Sequence, residues 1–345
     1  MTILFMILLV ASSDVDAAIE RLGAGAVERD ALGLSIAVRT PDRTVVRGFG
    51  RVRFDGDGAP DGDTIYEIGS ISKVFTGLLL ATAIERGVAG IDDPILRHVP
   101  DGVSVCDDEA PILLRHLTTH TSGLVRVPPN MMPSSMNDPY ADYSDELLHE
   151  FLADFVLESD PGDQYAYSNL AVGLLGNLMA RAHGDASYEA ALRARIFTPL
   201  ELSDTTVKMT DRLDERFAAA AGPNHHEAHP WEFDALAGCG SIRASVNELI
   251  KFGEANLSPD STPIAAALRR SHEPLFGGPP KVAYGWHFAD DERILWHNGQ
   301  TGGYHGWLSV DRAAGVVVAI LSNGHAGTRI DQAGIEITKL ARGDD

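Results

Sequence analysis

The sequence predicts an α/β (α+β) fold: one antiparallel sheet built from both termini and flanked by helices, with a mostly helical insertion in the middle. Three observations lead there. Two β-rich runs stand near the start, at residues 34–39 and 44–49, with Thr40-Pro41-Asp42-Arg43 between them as a hairpin turn. Four more stand in the last quarter, at residues 282–289, 293–296, 305–310 and 316–321. From about residue 80 to 275 the pattern is helical instead, and strands at both ends of a chain find partners most simply in a single sheet.

Composition bounds the answer. A chain of 345 residues with 44% hydrophobic and 22% charged residues can bury a sizeable core. One domain over residues 14–345, with the helical region inserted, accounts for that length. The formal net charge of −21 argues against nucleic acid and against anionic lipid as partners. Cys106 and Cys239 lie far apart and match no zinc or redox spacing, so they read as two unpaired thiols, and neither cofactor nor metal is expected.

In chain order, residues 2–13 form an apolar run ending in small residues. They read as a signal peptide lacking the usual basic start and too short to span a membrane. Residues 14–29 carry Val15, Ala18, Ile19 and Leu22 at helical spacing behind an acidic start. The hairpin follows. Glu67-Ile68-Gly69-Ser70-Ile71-Ser72-Lys73 then opens an apolar run that suits a buried helix. Asp92-Asp93-Pro94 starts a short helix ending before Pro100. Residues 111–124 read as a helix stopped by Gly123, its last turn rich in histidine and hydroxyls.

Residues 125–143, with four prolines, read as a loop long enough to cover a site. Helices are expected at 145–157, 170–183 and 188–197. The histidines of Asn224-His225-His226-Glu227-Ala228-His229 lack the zincin spacing and sit between Pro223 and Pro230, so the segment reads as a solvated loop. After the strands, a helix over 330–342 closes the chain.

The candidate chemistry begins at Ser70. Lys73 lies three residues on, so a helix would put both heads on one face, within reach of a proton exchange. Ser70 would then occupy the first helical turn, where backbone N–H groups favour an oxyanion. A serine needs a base to become a nucleophile, and a desolvated lysine can be that base. Alone, the pattern fits a helix with a surface lysine equally well.

Two further motifs follow. Tyr167-Ser168-Asn169 precedes an apolar helix, and His297-Asn298-Gly299-Gln300-Thr301-Gly302-Gly303 sits at a strand edge. Together the three motifs resemble those of the serine β-lactamase and penicillin-binding-protein superfamily, in particular its class C β-lactamase, DD-peptidase and related esterase branch. The similarity runs from about Asp14 to the closing helix, and residues 116–124 resemble a segment common in that branch.

The resemblance implies roles. Ser70 matches the nucleophile, Lys73 its proton-handling partner, Tyr167 the tyrosine that passes the proton to the leaving group, and Asn169 the amide that holds lysine and substrate. The backbone N–H groups of Ser70 and Gln300 match the oxyanion hole. Gly299, Thr301 and His297 belong to the substrate-binding strand, with Arg126 of the covering loop as an aid for anionic substrates.

His297 departs from the family's pattern, which has lysine there. A histidine near its ordinary pKa of about 6.5 would make carboxylate recognition fade as pH rises. The expected activity is therefore cleavage of β-lactam or D-Ala-D-Ala-type amides through an acyl-serine, on a small molecule or a peptidoglycan peptide, in the periplasm or outside the cell. A carboxylesterase using the same groups is the alternative. A non-catalytic descendant that binds or polymerises is a third reading, against which the intact Ser70, Lys73, Tyr167 and Asn169 stand. No Gly-x-Ser-x-Gly run occurs, which argues against an α/β-hydrolase.

Overall fold

The computed structural model describes residues 2–29, 31–106, 110–289, 292–324 and 328–343. The apolar run and the amphipathic segment at the start join into one helix, α1 (Thr2–Val27). No helix among the described residues is long and apolar enough to cross a membrane. The hairpin follows as β1 (Ala31–Arg39) and β2 (Thr44–Gly50), closed where the Thr40 N–H donates to the Arg43 carbonyl at 2.8 Å. The short β3 (Tyr66–Glu67) leads into α2 (Ser72–Glu85).

The helical region holds α3 (Leu114–Thr118), α4 (Asp145–Ala153), α5 (Asn169–His183), α6 (Tyr188–Leu192) and α7 (Asp211–Asp214). The two-residue β4 (Arg243–Ala244) pairs antiparallel with β3, and α8 (Val246–Leu257) and α9 (Ala265–Ser271) complete the region. The chain then returns through β5 (His287–Ala289), β6 (Ile294–Gln300), β7 (His305–Asp311) and β8 (Val316–Gly324) to α10 (Thr328–Ala341).

Six strands form one antiparallel sheet in the order β2-β1-β8-β7-β6-β5. The pairing of β1 with β8, in register from Gly33↔Asn323 to Arg39↔Val317, joins the two ends of the chain. The fold class expected from sequence is the one observed.

Strand alternation explains how the sheet is covered. Ile36 and Val38 point with Val318 and Ile320 into a cluster completed by Ile19 of α1 and Ile330 and Ile337 of α10. Ala37, Val317, Ala319 and Leu321, one residue out of phase, point into the larger core shared with α2, α5 and α8. Because α2 lies inside that larger core, it is apolar on all sides: every residue from Ser72 to Ala83 is buried. Phe75 stacks on Phe252 of α8 with ring centres 4.1 Å apart.

Two expectations need correction here, and a third lies outside the described residues. The helix predicted over 111–124 stops at Thr118. The Thr119 hydroxyl donates to the Arg115 carbonyl at 2.7 Å and His120 turns to φ +59°, so hydroxyl and histidine chemistry ends the helix before Gly123 can. The strand predicted over 282–289 is extended only from His287. Ahead of it, Ala283 N–H donates to the Trp286 carbonyl in a tight turn that buries Trp286 against Phe252. The turn predicted at Asp290-Asp291 lies outside the described residues.

Helix α4 ends at Ala153 rather than 157, and the helix expected over 188–197 continues past α6 as a π-helical turn, Arg193–Phe197. Cys106 is exposed and Cys239 buried, both as free thiols. The histidines at 225, 226 and 229 are exposed, as expected of a solvated loop.

Candidate active site

Ser70 stands one step ahead of where the sequence put it, in the 3-10 turn Gly69–Ile71 that feeds α2 rather than in the helix's first turn. Gly69 takes a left-handed backbone, φ +52°, which turns the chain so that the Ser70 side chain leaves the core. The turn lies directly on the end of β6. A Cβ added at Gly69 would come within 2.5 Å of the Gln300 nitrogen, and one added at Gly299 within 1.9 Å of the Ile68 carbonyl oxygen and 2.9 Å of the Ser70 nitrogen. Only two glycines allow backbones this close. The contact brings the backbone of residues 68–70 against that of residues 299–300.

Lys73 is fully buried, and its ammonium has three hydrogens and three acceptors. Nζ donates to Ser70 Oγ at 2.9 Å, to Asn169 Oδ1 at 2.9 Å and to the Cys239 carbonyl at 2.7 Å. Ser70 and Asn169 are both half-buried, while Lys73 and Cys239 behind them are enclosed.

Asn169 begins α5, whose N-cap Ser168 accepts from the Ala171 N–H at 3.0 Å. Its amide is fixed at both ends, since Nδ2 donates to the Tyr140 hydroxyl at 2.8 Å. Tyr140 comes from the proline-rich loop and stacks on Phe233 with ring centres 4.8 Å apart. Desolvation pushes its phenol above the ordinary range, so Tyr140 stays a neutral acceptor here.

Tyr167 stands beside both. Lys73 Nζ is 4.9 Å and the Arg126 guanidinium carbon 5.0 Å from its ring centre. Arg126, from the loop over 125–143, is exposed and lies against the Tyr167 ring.

His297 also arrives at the site, its ring 6.5 Å from that of Tyr167, but not in the expected state. It is 1% exposed, and burial, with His287 and the Lys73 cation nearby, holds its pKa well below the ordinary histidine value. The ring is neutral across the physiological range. Its Nδ1–H donates to the Asn298 carbonyl at 2.5 Å, which leaves Nε2 as an acceptor, buried and without a hydrogen-bond partner. This burial does not favour the pH-dependent carboxylate anchor expected from sequence: the lowered pKa leaves the histidine offering a lone pair rather than a charge.

Thr301 is likewise buried, at 4% exposure, its N–H donating to the Tyr304 carbonyl at 3.0 Å and its hydroxyl facing the Glu67 carboxyl. Asn298 points away, donating to Asp331 of α10 at 3.0 Å.

Sequence reasoning missed several contributors. The Cys239 carbonyl is main chain and carries no signal in residue type. Tyr140 was one residue among many in a loop. His120 and His287 crowd the same pocket, and burial lowers both, His287 to about 4. Glu67, three residues before Ser70, is 3% exposed and holds the site from below, accepting from the Trp231 N–H at 2.8 Å and from Arg243 at 3.3 Å. Desolvation raises its carboxyl to about 7 against the pull of Arg243.

A serine hydroxyl on a buried ammonium, an adjoining tyrosine and two amides at one spot can together activate, relay and stabilise an acyl transfer. Comparison with known proteins agrees with this chemistry. The Beta-lactamase family model matches residues 15–342. The chain is 28% identical to the D-alanyl-D-alanine-carboxypeptidase/endopeptidase AmpH of Escherichia coli (strain K12), over 67% of its own length and 58% of AmpH. It is 30% identical to a beta-lactamase of the same strain, over 57% of its length and 48% of that protein. The matches thus span about half the length of these relatives. The crystal structure of a beta-lactamase/D-alanine carboxypeptidase from Yersinia pestis shares the fold, with a TM-score of 0.80 and 23% identity over 97% of this chain and 98% of that one.

Proposed function

The chain belongs to the beta-lactamase family, and on that premise we propose that it is a serine acyl hydrolase that cleaves β-lactam or D-Ala-D-Ala-type amides through an acyl-Ser70 intermediate. The observation that carries the reading is the 2.9 Å contact between the Ser70 hydroxyl and the fully buried Lys73 ammonium. In this reading Ser70 Oγ attacks the substrate carbonyl while its proton leaves through the Lys73–Tyr167 pair. The oxyanion forms against the N–H groups of Ser70 and Gln300. The tetrahedral intermediate collapses as Tyr167 delivers the proton to the leaving nitrogen, and water then hydrolyses the acyl-serine by the same route. Asn169 holds Lys73, Gly299 permits the backbone approach, and Arg126 meets the substrate from the loop. The apolar start of the chain fits export to the periplasm or beyond, where peptidoglycan peptides are found.

One observation favours a second reading, a carboxylesterase with the same machinery: His297 is neutral where a lysine would bind a carboxylate. Assaying a chromogenic cephalosporin, a D-Ala-D-Ala peptide and a short-chain nitrophenyl ester side by side separates the two. The proposal expects turnover of the cephalosporin or the peptide, abolished in Ser70→Ala. Turnover of the ester alone would favour the esterase, and turnover that survives Ser70→Ala would overturn both.

A further inference from the structure

We propose that His120 is the positioning residue of Tyr167, a clamp that fixes the phenol against Lys73; this rests on the reading of Tyr167 as the proton-transferring group. Tyr167 lies on an irregular stretch between Gly162 and the start of α5, with no regular element to place it. His120 grips that stretch on both sides of the tyrosine. Its carbonyl accepts from the Ala166 N–H at 2.8 Å, and its Nδ1 accepts from the Ser168 N–H at 3.2 Å. Between those two bonds its ring stacks on the Tyr167 ring, centres 4.3 Å apart and planes 29° from parallel.

Three features mark the arrangement as built for the tyrosine rather than for packing. His120 holds a left-handed backbone, φ +59°, uncommon for any residue but glycine. It is 1% exposed, yet its Nε2 has no hydrogen-bond partner, a cost that a purely structural residue would avoid. And Nδ1 can accept only from a neutral ring protonated at Nε2. Burial, together with the nearby Lys73, His287 and Arg126 cations or rings, holds it in that state. A neutral ring stacked on Tyr167 shields one side of the phenol from water, while Lys73 and Arg126 stand at 4.9 and 5.0 Å from the ring centre.

The test is a double-mutant cycle on turnover of whichever substrate the enzyme accepts. His120→Asn tolerates the left-handed backbone and keeps an acceptor but loses the ring; His120→Phe keeps the ring and loses the acceptor. Each is expected to lower kcat by about 10-fold or more while KM moves less than about 3-fold, since misplacing a catalytic group costs the chemical step. Placed on a Tyr167→Phe background, His120→Asn should cost less than about 2-fold further, because the group it positions is gone.

Losses that multiply in the double variant, or single variants with wild-type kcat, would overturn the clamp. Loss of the fold in both single variants would also overturn it, making His120 a residue of the fold. A Tyr167→Phe enzyme as fast as wild type would overturn the reading of Tyr167 itself, and the clamp with it.

Discussion

Lys73 sets the terms at the scale of single residues. Burying an ammonium costs several kcal/mol, and a hydrogen bond to a charged group returns about 1.5–3 kcal/mol. Ser70, Asn169 and the Cys239 carbonyl take up all three hydrogens of Nζ, so the burial of Lys73 is matched by a full set of hydrogen bonds. Nothing comparable supports a charge on His297, whose ring donates to one carbonyl and is otherwise enclosed.

A prediction follows from that contrast. The ratio of kcat/KM for a carboxylate-bearing cephalosporin to that for a neutral ester should not fall as pH rises through the ordinary histidine range near about 6.5, because burial holds His297 well below it. His297→Lys should tilt the ratio toward the cephalosporin by about 10-fold, the value of one charge-assisted bond over a neutral contact. A wild-type ratio that falls as pH rises through 6–7 would mean that His297 titrates in the site after all.

The residues legible in the sequence were Ser70 and Lys73, by their spacing, and Tyr167 and Asn169, by the resemblance; the fold brings the four together. A carbonyl such as that of Cys239, or a protonation state such as that of His297, depends on what surrounds it in three dimensions. No residue type announces it.

At the scale of elements, the site is a contact between one turn and one strand edge. The 3-10 turn that carries Ser70 and the last residues of β6 touch through backbone alone, and Gly299 is the point of closest approach. Gly299→Ala would drive its methyl into the Ile68 carbonyl, and relief requires β6 to move by about an ångström, a displacement worth about 10²-fold in kcat. The expected variant is folded, with wild-type near-UV circular dichroism, but slow. Wild-type kcat in Gly299→Ala would show that the turn and the strand are not held together as described.

Elements marked by a long apolar run, as in α2, or by periodicity, as in α5 and the paired strands, were readable in the sequence. The segments misread, 111–124 and 282–286, are those where a side chain competes with the backbone. Thr119 and His120 end one helix early, and the buried Trp286 folds a would-be strand into a turn.

Over the whole molecule, the pairing of β1 with β8 makes the active site depend on both ends of the chain, because β8 carries β7 and β7 carries β6. The same core stores a pH dependence. His120, His183, His272, His287 and His297 are all buried with depressed pKa values, His272 to about 3 and His287 to about 4. In the unfolded chain each would bind a proton near pH 6.5. Between the folded and unfolded values the unfolded state therefore holds more protons, and stability rises with pH. The contribution is fully present above about pH 6.5 and is lost as pH falls toward 4. The thermal midpoint should decline steadily from pH 6.5 to 4.5, before the surface carboxylates titrate. Glu67, raised to about 7, works in the opposite direction, as do Asp138 and Asp234, whose carboxyls desolvation also raises, but the buried histidines outnumber them. A midpoint that holds constant over that range would contradict the neutral histidine cluster.

The central claim is that Ser70 is the atom acylated. Incubating the folded protein with a fluorophosphonate and with a penicillin, then mapping the adduct by peptide mass spectrometry, tests it most directly. The account predicts a single adduct on Ser70, absent from Ser70→Ala and formed more slowly in Lys73→Ala, where the hydroxyl loses the Lys73 amine that donates to it. An adduct on any other residue, or labelling that persists in Ser70→Ala, would contradict it.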